Sequence, residues 1–197
     1  MAISEGRGIL LKSFTLIKAK PGTEKTLIKR ILEVPESLEV HSIMGEFDLL
    51  VVLGVDEDSV AVPWKQLSEV LMNKIRPKKG ILETQTVIPT SSKIKKDHLF
   101  EFSKLARGFV FIDTTPGREV SVMNRLFQMD EIREVHLIPG KHDILAVIEV
   151  SNLFKAMIPP RYPELIERVV VNKVSGTADV VETETIIPDA FNFKESK

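Results

Sequence analysis

The chain has 197 residues, a formal net charge of −1 and no cysteine. Nearly matched acids and bases leave no broad basic face for duplex nucleic acid, and the missing cysteines exclude disulfides, thiolate catalysis and thiolate-bound metals. No segment has signal-peptide or membrane-spanning character, so a soluble cytoplasmic protein is expected, with no membrane partner and no direct nucleic-acid contact.

Taken in order, Ile9–Ala19 reads as a strand, and Pro21-Gly22 ends it and opens a helix. Glu24 falls in the first helical turn, where a carboxylate complements the helix dipole. Leu27, Ile28, Ile31 and Leu32 form one helical stripe. A second strand is predicted over Leu38–Met44, turning at Gly45, and a third over Phe47–Val55. Val60, Trp64, Leu67, Leu71 and Ile75 mark a second helix, stopped by Arg76-Pro77, with Trp64 read as a core residue. Ile81–Ile88, rich in Thr and β-branched residues, closes the unit as a strand. The order is βαββαβ, the ferredoxin-like arrangement.

The same text then returns. Pro21-Gly22-Thr23-Glu24 recurs as Pro116-Gly117-Arg118-Glu119, Glu39-Val40-His41 as Glu134-Val135-His136, and Gly45-Glu46-Phe47-Asp48 as Gly140-Lys141-His142-Asp143, all at a spacing of 95 (116 − 21). The closing strands, Glu83–Pro89 and Glu182–Pro188, stand 99 apart (182 − 83), which places a four-residue insertion near Met157–Pro163. A repeat of this length is a duplicated domain. The second set of elements is predicted at Gly108–Thr114, Glu119–Met129, Ile132–Ile138, Asp143–Val150, Tyr162–Lys173 and Val180–Ile187. Val122, Met123, Leu126 and Phe127 repeat the first helical stripe. Domains are expected at 8–89 and 108–188, joined by a polar linker at 90–107 whose Leu99–Ala106 end suits a short helix; the tail Asp189–Lys197 looks loosely held.

Leu49–Leu53 and Ile144–Ile148 are apolar on both faces, yet two helices cover only one face of a four-stranded sheet. The expected fold is therefore α+β, two tandem ferredoxin-like domains of dimeric α/β barrel type with their sheets packed face to face.

A strand ending in Lys-Pro-Gly, a Gly-x-x-Asp hairpin and a closing Glu-Thr-x-Thr strand, in order and twice, resemble the effector-binding (RAM) domain of the Lrp/AsnC, or feast/famine, transcriptional regulators. The resemblance spans Ile9–Pro89 and Gly108–Pro188. It implies a ferredoxin-like fold, a small-molecule effector (an amino acid in most of the family) and assembly into a homo-oligomer. Only Met1–Gly8 precedes the first strand, too little for the family's helix-turn-helix, so DNA binding is not carried over; a DNA-binding family member is the expected downstream partner.

Gly45, Asp48, Gly140 and Asp143 are the first site candidates. A glycine turn presents backbone N–H groups to a carboxylate, and the Asp pairs with an ammonium group; the resemblance implies that this turn belongs to the effector site. The other reading of the same residues is structural: Gly supplies a positive φ and Asp closes the hairpin. Thr84 and Thr183, on the closing strands, are weaker ligand-binding candidates beside an ordinary strand role. His41 and His136 are read chiefly as strand residues, with a metal or pH-sensing pair as the alternative. No catalytic residue, metal site or cofactor is expected. The function implied is a non-enzymatic regulatory module that senses an amino acid or related metabolite. The alternative is an enzyme on the dimeric α/β barrel scaffold, monooxygenase-like or haem-dependent.

Overall fold

A computed structural model describes residues 10–56, 62–95, 105–151 and 162–194. The chain divides into two compact units: residues 1–88 with 189–197, and residues 89–188. Among the described residues no helix is long and apolar enough to cross a membrane.

Unit 1 contains β1 (Leu10–Ala19), α1 (Glu24–Leu32), β2 (Ser37–Ser42), β3 (Leu49–Asp56), α2 (Pro63–Val70) and β4 (Ile81–Val87). Its antiparallel sheet runs β2-β3-β1-β4. Pro21-Gly22 breaks β1 because Gly22 takes a φ of +82°, open to glycine without cost. Glu24 then does more than complement the dipole. Its carboxylate accepts the Gly22 N–H (3.0 Å), and the Thr23 hydroxyl donates to the Lys20 carbonyl (2.6 Å). Leu27 and Ile31 go fully into the core, with Ile28 and Leu32 at its margin. That core lies between the two helices and one face of the sheet, where Ile17, Val40, Leu49, Val51, Leu53 and Val55 meet Leu67, Val70 and Ile75. Leu50 and Val52, on the other parity of β3, are buried as well.

Unit 2 repeats the plan. It has β5 (Ser91–Ile94), β6 (Leu105–Thr114), α3 (Glu119–Phe127), β7 (Ile132–Leu137), β8 (Ile144–Ser151), α4 (Tyr162–Val169) and β9 (Val180–Ile186), with the sheet ordered β5-β7-β8-β6-β9. Val110, Ile112, Val122, Met123, Leu126, Ile144, Ala146 and Ile148 fill the equivalent core. The four-residue insertion is bracketed by structure. Six residues separate Asp56 from Pro63 and ten separate Ser151 from Tyr162, so it falls between β8 and α4.

Three features differ from expectation. First, Ser91–Ile94 is a strand: it pairs antiparallel with β7, Ser91 opposite Leu137 and Ile94 opposite Glu134. Leu105 and Ala106 already belong to β6, while residues 96–104 of the expected linker and helix lie outside the described residues. Second, the tail is held in register on β2. Val40 N–H donates to Asn192 (2.9 Å), Ser42 N–H to Ala190 (3.2 Å) and Lys194 N–H to Leu38 (3.0 Å). Lys194 Nζ also donates to the Val34 and Pro35 carbonyls. Each unit is thus completed by the segment that leaves the other unit's closing strand. Third, Trp64 is not core but 60% exposed, because α2 begins at Pro63 and its buried stripe starts only at Leu67. Phe127 packs at the core margin.

Both second helices end in a π-helical turn, Leu71–Ile75 and Val170–Val174. In each turn a lysine reaches the loop before β2 or β7: Lys74 to Glu36 (2.7 Å) and Lys173 to Glu131 (2.6 Å). Burial raises the Glu131 pKa. The Lys173 hydrogen bond, one from the backbone at Glu131, and the charges of Lys173 and Lys95 outweigh it, so the net position is below the ordinary value. A lowered folded-state pKa adds stability that is present above the ordinary carboxylate range, about 4.3, and is lost as pH falls through the lowered value. Glu131→Gln is expected to lower the melting temperature at neutral pH, with the gap closing in acid; a pH series of thermal melts checks this. Gly108 makes a sharper test. A Cβ there would lie 2.5 Å from Ile166 Cγ2, inside the packed α4–β6 contact. Gly108→Ala is expected to cost about 1–3 kcal/mol through overpacking, read by urea denaturation.

Candidate functional site

The β2–β3 turn, and its β7–β8 twin, gather the sequence-predicted glycines and aspartates at one end of each sheet. Gly45 and Gly140 hold φ of +129° and +130°, with nothing within 4 Å of where a Cβ would stand. Only glycine enters this region without strain. The Ile43 N–H donates to the Asp48 carbonyl (2.9 Å), and the Asp48 N–H donates to Ile17 (2.9 Å). Unit 2 matches, with Ile138 to Asp143 (2.9 Å) and Asp143 to Ile112 (3.1 Å). Between these clamps, among the described residues, no hydrogen bond engages the amides of Gly45, Glu46 and Phe47, or those of Gly140, Lys141 and His142. Three successive open N–H groups per turn can receive an anionic oxygen.

The two aspartates also face inward, toward the first strand. Asp48 Oδ2 accepts the Ala19 N–H (2.6 Å); Asp143 Oδ2 accepts both the Thr114 N–H (2.8 Å) and its hydroxyl (3.0 Å). One oxygen of each carboxylate therefore ties the turn to the end of β1 or β6. Thr84 and Thr183 lie elsewhere. They pair with the core residues Ile17 and Ile112, and the Thr183 hydroxyl shares a hydrogen bond with Ser175 (3.2 Å), so they are on the helix-covered face of the sheet.

The turns differ in what surrounds them. In unit 1 Phe47 is buried and Met44 is 83% exposed. In unit 2 His142 replaces Phe47, with Nδ1 2.9 Å from Asp113 and Nε2 3.4 Å from Glu184, while Lys141 Nζ donates to Glu184 (3.2 Å). The Phe111 ring lies 5.4 Å from the imidazole. Lys18 and Gln85 hold the corresponding places in unit 1, so its turn has no carboxylate pair.

On the sheet face opposite the helices, Glu39 and His41 meet side by side (2.8 Å), as do Glu134 and His136 (3.0 Å), all buried. Two residues apart on one strand is the spacing that brings side chains together on one face. In unit 2 the Ser92 hydroxyl completes a chain, 2.7 Å from His136 Nδ1. In unit 1 Phe191 and Phe193 stand edge-on to His41 instead, at 5.6 and 5.4 Å. The Ser92 contact depends on the β5–β7 register, which no local pattern reveals.

The aspartates offer a test of structural against ligand roles. Asp48→Ala or Asp143→Ala is expected to cost about 1–3 kcal/mol, the penalty for orphaning a partly buried donor. The Asn variants, which keep an acceptor, should cost less. Urea denaturation measures both.

Residues 12–99 match the family model described as the Lrp/AsnC ligand binding domain. The structure of FFRP-DM1 shares 29% identity over 40% of this chain and 96% of its own, with a TM-score of 0.35. The siroheme decarboxylase NirDL shares 7% identity over 92% of this chain and 72% of its own (TM-score 0.57). A putative monooxygenase from Lactobacillus acidophilus shares 9% identity over 94% and 96% (TM-score 0.51). The last two likenesses bear on the fold alone. No curated protein matches the sequence. Residues 12–99, with their glycine turn tied by Asp48, are thus similar to the Lrp/AsnC ligand binding domain, and residues 105–186 repeat the order of strands and helices found in unit 1.

Proposed function

We propose that the chain is a non-enzymatic regulatory module that binds an amino acid or related metabolite at its Gly-x-x-Asp turns and acts through contacts with other subunits. The family match over 12–99 supports a ligand-binding role. The observation that carries the site is the run of open amides at Gly45–Phe47 and Gly140–His142, each beside an aspartate. The amides suit the ligand's carboxylate. In unit 2, Asp113 and Glu184 add negative charge for its ammonium group. Occupancy can regulate only through a difference in affinity between assembly states. A DNA-binding member of the same family is the natural downstream partner in this reading.

Titration calorimetry with the common amino acids is the direct test. Binding by at least one is expected, and His142→Phe with Glu184→Gln should alter the response of the unit 2 turn while leaving that of unit 1. No heat or thermal shift with any amino acid would sink the proposal.

The relay from exposed Ser92 to the buried His136–Glu134 pair favours a second reading, an enzyme on this scaffold. In the tautomer that gives Nε2–H to Glu134, His136 Nδ1 is placed to accept the Ser92 hydroxyl, the arrangement that activates a serine. Reaction of Ser92 with a fluorophosphonate, abolished by His136→Gln, would support that reading; an inert Ser92 would remove it.

A further inference from the structure

Among the described residues each sheet has one covered edge and one open edge. The tail covers β2 in unit 1, and β5 covers β7 in unit 2. Among the described residues the opposite edges, β4 and β9, pair on one side only. An open edge presents unpaired backbone donors and acceptors, and proteins blunt such edges unless they are used. Here both edges carry a large exposed apolar residue at the same position, Leu82 (63% exposed) and Val181 (68%). The π-helical turns that lead into these strands expose Met72 and Val171, again at matching positions.

The charges around the two edges are opposite. Along 76–87 stand Arg76, Lys78 and Lys79 with the single acid Glu83, and the residue across from Glu83 on β1 is Lys18. Along 175–186 stand Asp179, Glu182 and Glu184 with no base, and the residue across from Glu182 on β6 is Asp113. Arg125 pairs with Asp179, and Lys141 and His142 reach Glu184. Asp113 is shared with His142, and Glu182 has no ion-pair partner among the described residues.

We infer that the β4 edge of one chain docks on the β9 edge of a second copy of this chain, extending one sheet into the next. Leu82 and Val181, near the starts of the two strands, lie within the contact, with the basic flank of β4 against the acidic flank of β9. Pairing β9 with another β9 would set acid against acid, so charge selects the unlike edge. Such a heterologous contact leaves one β4 and one β9 open on every growing assembly, so it builds beyond the dimer. The inference rests on the assembly half of the proposed function and is independent of any ligand.

Sedimentation velocity on the ligand-free full chain, across the micromolar range and with circular dichroism to verify folding, tests it. Wild type is expected to form species larger than a dimer that dissociate as salt rises. Leu82→Glu alone and Val181→Glu alone should each weaken self-association more than about tenfold. Mixed together, they should form a one-to-one dimer and stop, because one variant keeps β9 and the other keeps β4. A wild type that stays monomeric overturns the inference. So does strong self-association by either single variant, or a mixture that yields no dimer. Amino-acid binding measured on the same monomeric variants separates this failure from failure of the ligand reading.

Discussion

Asp48 and Asp143 fix the geometry on which the candidate site depends. A β-hairpin turn containing a glycine at φ near +130° has no inherent reason to hold one conformation. Here the carboxylate reaches across to the last amide of the first strand, Ala19 or Thr114, while the main chain of the same residue bonds Ile17 or Ile112 and Ile43 or Ile138. Three bonds from one residue nail the turn to the sheet from both sides. Among the described residues the amides between the clamps make no hydrogen bond. The structural and the ligand-binding readings of the Gly-x-x-Asp motif are therefore not rivals, since the same aspartate holds open the amides that a ligand would use.

The duplication serves as an internal control on which residues belong to the fold and which to one unit's own chemistry. Glu24 and Glu119 cap the same glycine turn, and Lys74 and Lys173 reach the same glutamate. Shared parts of this kind mark what either unit needs in order to fold. Against that constant background, unit 2 alone has buried Arg107 and Arg133 around Glu149, the Ser92–His136 contact, and His142 between two carboxylates. Unit 1 puts Lys12, Leu38 and Gly54 where unit 2 has Arg107, Arg133 and Glu149. Buried ionic groups are poor sources of net stability compared with apolar packing, so their confinement to one unit sets that unit's chemistry apart rather than its fold.

The order of elements was legible in the sequence because it rests on local periodicity. Leu27 and Ile31, or Val122 and Leu126, announce a buried helical stripe without reference to anything distant. What escaped was non-local. Thr90-Ser91-Ser92-Lys93 is polar and carries no strand signature of its own; it becomes β5 only because β7 offers it an edge. The same holds for Ala190 and Phe193 on β2. Trp64 misled for a different reason: an aromatic at helical spacing reads as core, but the spacing cannot show that the helix has only just begun there. Glu39 and His41 stand two apart on β2, a spacing that any strand supplies, whereas the place of Ser92 beside His136 needs cross-strand register.

Glu184 connects the glycine turn of unit 2 with the β9 edge. It sits on the open β9 edge, and it is also the residue that Lys141 and His142 reach from the glycine turn. A ligand carboxylate that drew Lys141 away would leave Glu184 more negative toward the basic flank of an incoming β4. A docked β4 lysine would in turn compete with Lys141 for Glu184 and release it toward the ligand. These two effects favour joint occupancy, whereas the ligand's ammonium group competes with the same lysine for Glu184; the net coupling is the balance of the two, and linkage makes it equal from either site. In unit 1 the equivalent edge residue is Gln85 and the turn residues are Glu46 and Phe47, which form no ionic bridge among the described residues. Coupling between ligand and assembly would therefore run through the second turn alone, leaving the first to bind without reporting.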